Sequence, residues 1–443
     1  MNIILGYGRT GRALAQFFQR HQMPFLIFDE KHQSVIADFP QNFTAEIPIN
    51  SNDIESLIVS PGISTKYSHT ENITNEFVKF AIKNKVPMIS DIEFFMKKFP
   101  KKKFFGITGT NGKSTTASLL NHILVESELN SALCGNIGVS PFENAINANI
   151  CSVEISSAQI ELTHGVEFDI AAITNLSPDH IDRYQSEELY YQTKLEIANI
   201  SKVLIVNQSI LDRFKIQHNN TITFSIEKQC EGKGYEGYYI NDGAIFFKNK
   251  KLCITPKTSL IGMHNLENIL CAFAICHQFG IDIQQISKAI STFQAISHRL
   301  EHIATKNGIQ FFNDSKATNL DSTLNALRAF NSPIFLIAGG KLVENIAGIF
   351  NRDEFKNVKM IGIIGECSAI VAKELKNHNE NHQDKKIKFV LCGDIKKAID
   401  ILYIEAQKTT NSTIILSPFC KSFDQFKNFE ERGKYFNTCV EDI

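Results

Sequence analysis

The apolar residues of this chain are grouped in short runs, and many runs are followed by a turn and an amphipathic segment. Residues 2–5 form the first run, residues 6–11 (G-Y-G-R-T-G) form a glycine turn, and residues 13–20 have helical spacing. A second run at residues 25–28 completes the strand–helix–strand unit typical of parallel α/β sheets. The same pattern predicts buried strands at residues 57–59, 150–155, 170–174, 203–206, 309–313, 334–338, 360–364, 389–391 and 413–416.

Two segments interrupt this pattern and predict the domain boundaries. Residues 96–103 combine lysines with Pro100, as linkers do, and residues 298–301 precede a further series of strands. At about 150 residues per domain, the length favours three domains. We therefore predict an α/β protein with a Rossmann-like domain at residues 1–97, a central domain with a mostly parallel sheet at residues 98–297, and a Rossmann-like domain at residues 298–443. The polar stretch 221–257 predicts a small antiparallel appendage.

The composition excludes several classes of partner. The net charge of -1 provides no global field for nucleic acid or an anionic membrane, so we expect neither as a partner. Ten cysteines without a C-x-x-C pair indicate buried thiols in a reducing cytosol. Because the first apolar run leaves no room for a signal peptide and no run reaches membrane-spanning length, we expect a cytoplasmic protein. We also expect a monomer.

The most informative stretch is residues 106–116, G-I-T-G-T-N-G-K-S-T-T. A strand, a glycine turn and a helix start present backbone N–H groups to a triphosphate, and the helix dipole favours its charge. Lys113 can reach the β- and γ-phosphates and Ser114 can bind Mg²⁺. The stretch departs from the strict phosphate-loop pattern at Ile107, where that pattern has glycine, and an ordinary glycine-rich turn is the alternative. The predicted ATP contacts in the loop are Gly109, Thr110, Asn111, Gly112, Lys113, Ser114 and Thr115.

The turn at residues 6–11 matches G-x-G-x-x-G after a strand, with an acid about 20 residues further on, at Asp29. This fingerprint normally indicates a dinucleotide, but a domain this short does not fit the usual six-stranded fold. A helix N-terminus suits the pyrophosphate of a nucleotide sugar equally well. Dinucleotide oxidoreduction remains an alternative.

Two further strands end in polar residues. Glu154 lies in an apolar strand and is followed by Ser156 and Ser157, and His180 follows another strand. Ligands of open α/β sheets bind at the carboxyl ends of strands. A buried Glu needs a charged partner or a metal, so Glu154 is either salt-bridged or a Mg²⁺ ligand with Ser114 and His180.

The loop at residues 109–115 (G-T-N-G-K-S-T) resembles that of the Mur ligase family, ATP-dependent amide-bond-forming enzymes of peptidoglycan precursor synthesis, and of the related folylpolyglutamate synthases. The resemblance implies a UDP-sugar in the first domain. It also assigns Asn265 and Asn268 to the adenine side of ATP, and Arg299 and Asp314 to ATP. The UDP-sugar contacts that it implies are Arg9, Thr10, Gly11, Asp29, Glu30 and Gly62, with Asn136 and Ser156 in the central domain.

The spacing of the sequence and the family resemblance predict different roles for Lys194. Its helical spacing alone predicts a surface lysine. In most Mur ligases a lysine of this helix reacts with CO₂, and the resulting carbamate bridges Mg²⁺. The resemblance therefore implies two Mg²⁺ sites, formed by Ser114, Glu154, His180 and the carbamylated Lys194.

The carboxyl-terminal stretches 313–319 and 416–433 are similar to the Mur ligases that add D-glutamate to UDP-N-acetylmuramoyl-L-alanine (UDP-MurNAc-L-alanine). By this resemblance Lys316, Thr318, Ser422 and Phe429 surround D-glutamate, and Lys316 is also catalytic, with Lys113, Glu154, His180 and Lys194. Residues 339–341 depart from the family, because a lysine follows the glycine pair at once. Lys341 is therefore a further candidate for contact with D-glutamate.

The expected reaction is ATP-dependent formation of an amide through an acyl phosphate. Three alternatives remain open: another amide ligase of the superfamily, such as a folylpolyglutamate synthase; a Rossmann dehydrogenase; and a phosphate-loop switch that hydrolyses ATP without an amino acid.

Overall fold

The structure is a computed structural model that describes residues 1–30, 33–47, 50–65, 75–226 and 237–443. Its described strands form three sheets, and the chain divides into two compact units. Unit 1 comprises Met1–Thr258 and Glu267–Phe293, and unit 2 comprises Ser259–Leu266 and Gln294–Ile443. In the described part of the chain, no helix is long and apolar enough to cross a membrane.

The first sheet of unit 1 is parallel, with strand order β2-β1-β3-β4. Its strands are β1 (Asn2–Leu5), β2 (Phe25–Phe28), β3 (Ser56–Val59) and β4 (Met88–Ile89). The helices are α1 (Arg9–Arg20), α2 (Gln33–Asp38), α3 (Glu76–Asn84) and α4 (Asp91–Lys98). Helix α1 begins four residues before the predicted start, at Arg9, because the glycine turn leads directly into it.

The second sheet of unit 1 contains the strands β5 (Lys103–Thr108), β6 (Ser131–Gly135), β7 (Ile150–Glu154), β8 (Ile170–Ile173), β9 (Leu204–Asn207), β10 (Thr221–Ser225), β11 (Tyr238–Asn241), β12 (Ala244–Phe247) and β13 (Lys250–Ile254). Their order is β13-β12-β11-β10-β9-β8-β5-β7-β6. The helices are α5 (Lys113–Glu126), α6 (Pro141–Asn144), α7 (Ser157–Ile160), α8 (Ile181–Tyr184), α9 (Glu187–Leu195), α10 (Gln208–Arg213), α11 (Met263–Phe279) and α12 (Ile283–Thr292), of which α11 begins in unit 2.

The prediction of a separate antiparallel appendage at residues 221–257 is wrong. Strand β10 pairs in parallel with β9, and β11 pairs in parallel with β10, so this stretch extends the central sheet. Among the described strands of this sheet, only β12 runs in the opposite direction, antiparallel to both β11 and β13. Residues 227–236 of this stretch lie outside the described residues.

The predicted linker at residues 96–103 is much shorter in the structure. Helix α4 runs to Lys98 and β5 begins at Lys103, and Met96 is buried. The lysines look like linker residues, but Lys97 pairs with Glu93 at 2.6 Å. The Lys98 ammonium lies 5.3 Å from the Phe94 ring centroid. Their side chains thus cover a buried helix while their charges stay near water, and both sheets of unit 1 contribute to one apolar core.

Unit 2 has one sheet, of order β14-β15-β19-β16-β17-β18, in which only β14 is antiparallel. Its strands are β14 (Glu301–Lys306), β15 (Ile309–Asn313), β16 (Ile334–Gly339), β17 (Val358–Ile364), β18 (Lys388–Gly393) and β19 (Thr413–Leu416). The helices are α13 (Leu320–Arg328), α14 (Ser368–Asn381), α15 (Ile395–Ala406) and α16 (Phe429–Glu441). Successive residues of β19 enter opposite cores, as expected for a strand buried on both faces.

Candidate active site

The predicted phosphate loop lies between β5, which ends at Thr108, and α5, which begins at Lys113. Gly109 and Gly112 have positive φ angles of 143° and 82°, a region that favours glycine. A Cβ atom at Gly109 would collide with the Thr174 hydroxyl, and one at Gly112 with the Asn268 amide oxygen. The glycines are therefore required both by backbone conformation and by close packing.

The loop is held in shape by the residues that follow β8. The Asn175 side chain accepts a hydrogen bond from the Asn111 N–H at 2.8 Å and donates one to the Asn111 carbonyl at 2.9 Å. The Thr174 hydroxyl donates to the same carbonyl at 2.7 Å. Sequence reasoning gave no role to Asn175, and its only signal was its place after a predicted strand.

Lys113 is folded back along the loop. Its Nζ atom donates hydrogen bonds to the carbonyls of Gly109, at 2.9 Å, and Thr110, at 2.7 Å. The ammonium group is thus fixed beside the backbone that would hold a phosphate. The neighbouring loop residue Thr115 is buried in the first turn of α5.

Glu154, at the end of β7, is brought together with two residues predicted to act near it. Its side chain is buried, and its carboxylate accepts hydrogen bonds from Ser114 Oγ at 2.6 Å and from Asn136 Nδ2 at 3.0 Å. A carboxylate and a hydroxyl beside a phosphate loop fit Mg²⁺, which prefers oxygen ligands. Among the described residues, no group of three or more His, Cys, Asp or Glu side chains could hold a metal ion. Mg²⁺ here would take its remaining ligands from phosphate and water, as it commonly does.

Lys194 is buried, so the surface position predicted from helical spacing is wrong. Helix α9 packs this lysine towards the phosphate loop, where Nζ donates to the Gly109 carbonyl at 2.8 Å. The ammonium also lies 4.8 Å from the Tyr190 ring centroid, and Tyr190 donates to the Thr110 hydroxyl at 3.3 Å. Burial, followed by the charge of Lys113, holds the pKa of Lys194 well below its usual value. The structure thus places an amine that loses its proton readily beside the loop.

His180 follows β8 and is the residue immediately before α8. Its side chain is 61% exposed and its Nε2 atom is 3.8 Å from the Asp179 carboxylate. Its ring centroid is 6.1 Å from that of Tyr190. In contrast to the buried Ser114, Glu154 and Lys194, His180 therefore faces solvent near the aromatic residue that contacts the loop.

The glycine fingerprint at residues 6–11, like the phosphate loop, lies between a strand and a helix. A Cβ atom at Gly11 would collide with the Gly6 carbonyl, and the Asp29 carboxylate accepts the Tyr7 N–H at 2.6 Å. Arg9 donates to the Gly138 carbonyl. Because β1, β2 and β3 are adjacent, the loops that follow them share one sheet edge. The predicted UDP-sugar residues lie in the first turn of α1, which follows β1, and in the loops after β2 and β3: Arg9, Thr10, Gly11, Asp29, Glu30 and Gly62.

Ser156 is engaged in helix capping. Its Oγ accepts the Gln159 N–H at 3.3 Å, and Gln159 Oε1 accepts the Ser156 N–H at 3.1 Å, which completes a capping box at the start of α7.

Of the two predicted adenine contacts, Asn268 accepts from the Thr116 hydroxyl at 3.2 Å in unit 1. Asn265, in unit 2, donates to the Ile261 carbonyl at 2.7 Å.

In unit 2, the predicted D-glutamate residues other than Phe429 lie in loops at the carboxyl ends of adjacent strands. Lys316 and Thr318 follow β15, and the Lys316 ammonium lies 3.8 Å from the ring centroid of Phe429, the first residue of α16. Ser422 follows β19 and is buried. Lys341 pairs through its backbone with Lys421, with N–H to carbonyl distances of 2.9 and 3.0 Å, but its side chain is exposed.

Arg432 is a residue that sequence reasoning missed, although it belongs to one of the stretches that carried the resemblance. It is almost fully buried, and burial lowers its pKa to about 10. Its guanidinium donates to Ser315 Oγ at 3.0 Å, to the Ser315 carbonyl at 2.8 Å and to the Cys420 carbonyl at 3.0 Å. It thereby connects the loop of Lys316 to the loop of Ser422.

Asp314 and Arg299, both predicted to contact ATP, lie near each other in unit 2. Asp314 is buried and accepts hydrogen bonds from Ser417 Oγ at 2.8 Å and from the Leu300 N–H at 3.1 Å. Burial raises its pKa to about 7, and the charge of Arg299 opposes that rise. The buried environment thus favours the protonated form of Asp314 more than water does.

Comparison with known proteins identifies the family of this chain. A family model described as the Mur ligase middle domain matches residues 107–276. The UDP-N-acetylmuramoylalanine–D-glutamate ligase of Rickettsia prowazekii is 32% identical over 450 residues, which cover 98% of this chain and 96% of that enzyme. The enzyme of the same name from Francisella philomiragia is 32% identical over 448 residues, with coverage of 100% and 96%.

Solved structures share the α/β fold. A UDP-N-acetylmuramate–alanine ligase from Thermotoga maritima matches with a TM-score of 0.61 and 15% identity, over 100% of this chain and 99% of that one. A pseudomurein peptide ligase type C from Methanothermus fervidus matches with a TM-score of 0.59 and 19% identity, over 100% and 99%. At these identities the likeness concerns the fold.

Proposed function

This chain belongs to the UDP-N-acetylmuramoylalanine–D-glutamate ligase family, and we propose that it joins D-glutamate to UDP-MurNAc-L-alanine while ATP is converted to ADP and phosphate. The observation that carries the proposal is the phosphate loop, where the Ser114 hydroxyl lies 2.6 Å from the buried Glu154 carboxylate. This loop occurs in a chain that is 32% identical to relatives of that name over nearly its whole length.

The chemistry requires activation, because a free carboxylate is a poor electrophile at neutral pH. The terminal phosphoryl group of ATP passes to the carboxylate of UDP-MurNAc-L-alanine, which gives an acyl phosphate and ADP. The amine of D-glutamate attacks the acyl carbon, a tetrahedral intermediate forms, and phosphate and a proton leave as the amide bond is completed. The protein contributes mainly position and charge.

In this scheme the phosphate loop binds ATP. The backbone N–H groups of the loop and the Lys113 ammonium stabilise the negative charge of the triphosphate. We assign Mg²⁺ to two sites, with Ser114 and Glu154 at the buried one and His180 on the solvent side. When bound, Mg²⁺ supplies positive charge beside the transferred phosphoryl group.

Lys194 is proposed to act as a carbamate. A neutral lysine amine forms an N–C bond with CO₂ and releases a proton, which leaves a carboxylate suited to Mg²⁺. Two observations support this: the side chain is buried, and its lowered pKa favours the neutral amine. The location beside Gly109 would put the new carboxylate next to the phosphate loop.

We further propose a division into three domains, at residues 1–97, 98–297 and 298–443, in a cytoplasmic monomer. The first binds the UDP-sugar through the loops after β1, β2 and β3, the second binds ATP, and the third binds D-glutamate. Lys316, Thr318, Ser422 and Phe429 offer an ammonium, two hydroxyls and an aromatic edge to a dicarboxylate. Lys316 would also act in catalysis, next to the incoming amino acid.

The test is phosphate release from ATP and UDP-MurNAc-L-alanine with a panel of amino acids. We expect release with D-glutamate and none with L-glutamate, D-aspartate, diaminopimelate or no amino acid. Robust turnover with L-glutamate or diaminopimelate would contradict the assignment. Turnover of a folate substrate with glutamate would instead favour a folylpolyglutamate synthase, and phosphate release without an amino acid would favour an ATP-hydrolysing switch.

A further inference from the structure

Arg183 of α8 holds the loop that follows β3 by two backbone contacts. Its guanidinium donates to the Pro61 carbonyl at 2.6 Å and to the Ile63 carbonyl at 3.3 Å. One accepting carbonyl belongs to the residue before Gly62 and the other to the residue after it, so the arginine holds the backbone on both sides of this glycine. A lysine could not reproduce this contact, because it lacks the planar, two-pronged arrangement of donors.

A buried carboxylate completes the arrangement. Glu161, directly after α7, has a side chain that is 1% exposed, and its Oε2 atom lies 3.5 Å from an Arg183 Nη atom. Its other oxygen accepts the Thr65 hydroxyl at 2.6 Å. Since a buried carboxylate is costly without compensation, the pair and the hydroxyl stabilise one another. Three segments are thereby joined: the β3 loop, the end of α7 and the start of α8.

Each of these segments also carries a residue assigned to the reaction. The β3 loop contains Gly62, α7 follows Ser156, and α8 follows His180. Gly62 is exposed, its backbone is outside the left-handed region, and a Cβ atom there would meet nothing within 4 Å. Neither backbone conformation nor internal packing therefore requires this glycine, and its open, exposed position leaves room for a ligand to approach the backbone closely.

We propose that Arg183, with Glu161 as its counter-ion, is a positioning residue that holds residues 60–65 in the conformation that receives the UDP-sugar. The inference rests on the proposed function, because it takes this loop as part of the UDP-sugar site. Arg183 donates both of its loop contacts to backbone carbonyls, so it acts through the loop. Its removal changes the affinity for UDP-MurNAc-L-alanine far more than the affinities for ATP and D-glutamate.

The decisive variant is the pair Arg183→Met with Glu161→Gln. Arg183→Ala alone leaves a buried, uncompensated carboxylate and can unfold the protein, whereas the double change removes both charges and keeps an unbranched side chain at 183 and the shape of the side chain at 161. Circular dichroism checks the fold of this variant. Arg20→Ala, at an exposed position of α1 in the same unit, is the matched control for loss of an arginine.

For the double variant, we expect the KM and the equilibrium Kd for UDP-MurNAc-L-alanine to rise at least about 10-fold, the loss expected for hydrogen bonds from a charged donor. The KM values for ATP and D-glutamate should stay close to those of the unaltered protein, and Arg183→Lys should give a smaller rise. An unchanged Kd for the UDP-sugar in the folded double variant, or an equal rise in all three KM values, would overturn the role of Arg183. Absence of UDP-sugar binding by the unaltered protein would instead overturn the proposed function.

Discussion

The ionic groups around the phosphate loop in unit 1 differ from those of the predicted amino-acid site in unit 2. Near the loop, Glu154 and Lys194 are buried, and each is hydrogen-bonded to a residue of the loop. We call these residues, with Lys113 and Ser114, the first cluster, and the predicted D-glutamate residues of unit 2 the second cluster. In unit 2, Lys316 is half-buried against Phe429 and Lys341 has an exposed side chain. The loops of the second site are instead connected by the buried Arg432, whose guanidinium donates to the carbonyls of Ser315 and Cys420.

This difference has a consequence for function. Charges that are fixed and dehydrated before the substrate binds can stabilise a transition state without reorganisation. Cations on partly solvated side chains bind a dicarboxylate, but water weakens their effect. Substitutions in the first cluster should therefore lower kcat, and substitutions in the second should mainly raise the KM for the amino acid.

The largest effect is expected for Lys113→Ala. Loss of the ammonium beside the triphosphate should lower turnover by at least about 10³-fold, because a preorganised charge is removed. The affinity for UDP-MurNAc-L-alanine should be nearly unchanged, since most of the proposed UDP-sugar residues follow strands of the other sheet of unit 1. Kinetics and calorimetric titration measure the two quantities. Lys202→Ala, which removes an exposed lysine of the same unit, is the control, and equal loss of UDP-sugar affinity in the Lys113 variant would refute separate sites.

Lys194→Ala should lower kcat by at least about 10²-fold, because the carboxylate proposed for this position is lost. Short carboxylic acids should restore part of the activity, whereas they should not rescue Lys113→Ala, the matched control. Only the neutral amine reacts with CO₂. Lowering the pH should therefore slow recovery of activity after CO₂ depletion, although the depressed pKa of Lys194 extends the active range downward. Full activity of the alanine variant would remove the distinction between the two clusters.

Ser422→Ala and Thr318→Ala test the second cluster. Each should raise the KM for D-glutamate about 10-fold, the loss expected for one hydrogen bond to a charged group, with a smaller change in kcat. The KM values for ATP and UDP-MurNAc-L-alanine should change less. Steady-state kinetics with each substrate varied in turn decides the matter. A fall in kcat without a rise in the KM for D-glutamate would place these hydroxyls in the chemistry and contradict the comparison.

The two clusters were not equally predictable from the sequence. The phosphate loop was found because its chemistry depends on adjacent residues, and two of its glycines have the positive φ angles that such a turn requires. Lys194 was misplaced by spacing alone, since its burial depends on the packing of α9 against a loop 85 residues earlier. Arg432 and Arg183 were missed for the same reason: each is defined by backbone carbonyls of loops distant in sequence, which no local pattern reveals.

The remaining question concerns Lys341, whose position departs from the family pattern. Its backbone forms an isolated antiparallel β-bridge with that of Lys421, the residue before Ser422. Both lysines are exposed. An exposed cation contributes about 0–1 kcal/mol, so Lys341→Ala should raise the KM for D-glutamate no more than about fivefold. Lys421→Ala, which removes the same charge from the other residue of this β-bridge, should leave the KM for D-glutamate unchanged.

This matched pair separates a specific contact from general electrostatic attraction. If Lys341 reaches the side-chain carboxylate of D-glutamate, its removal should also weaken the preference for D-glutamate over D-glutamine, whereas removal of Lys421 should not. A general effect of positive charge would be equal in the two variants and would disappear at high salt, because exposed charges are screened. A loss above about 100-fold for Lys341→Ala would exceed what an exposed ion pair provides. A cation of the second cluster would then interact with its substrate as strongly as the buried charges near the phosphate loop do, and the contrast between the two sites would fail.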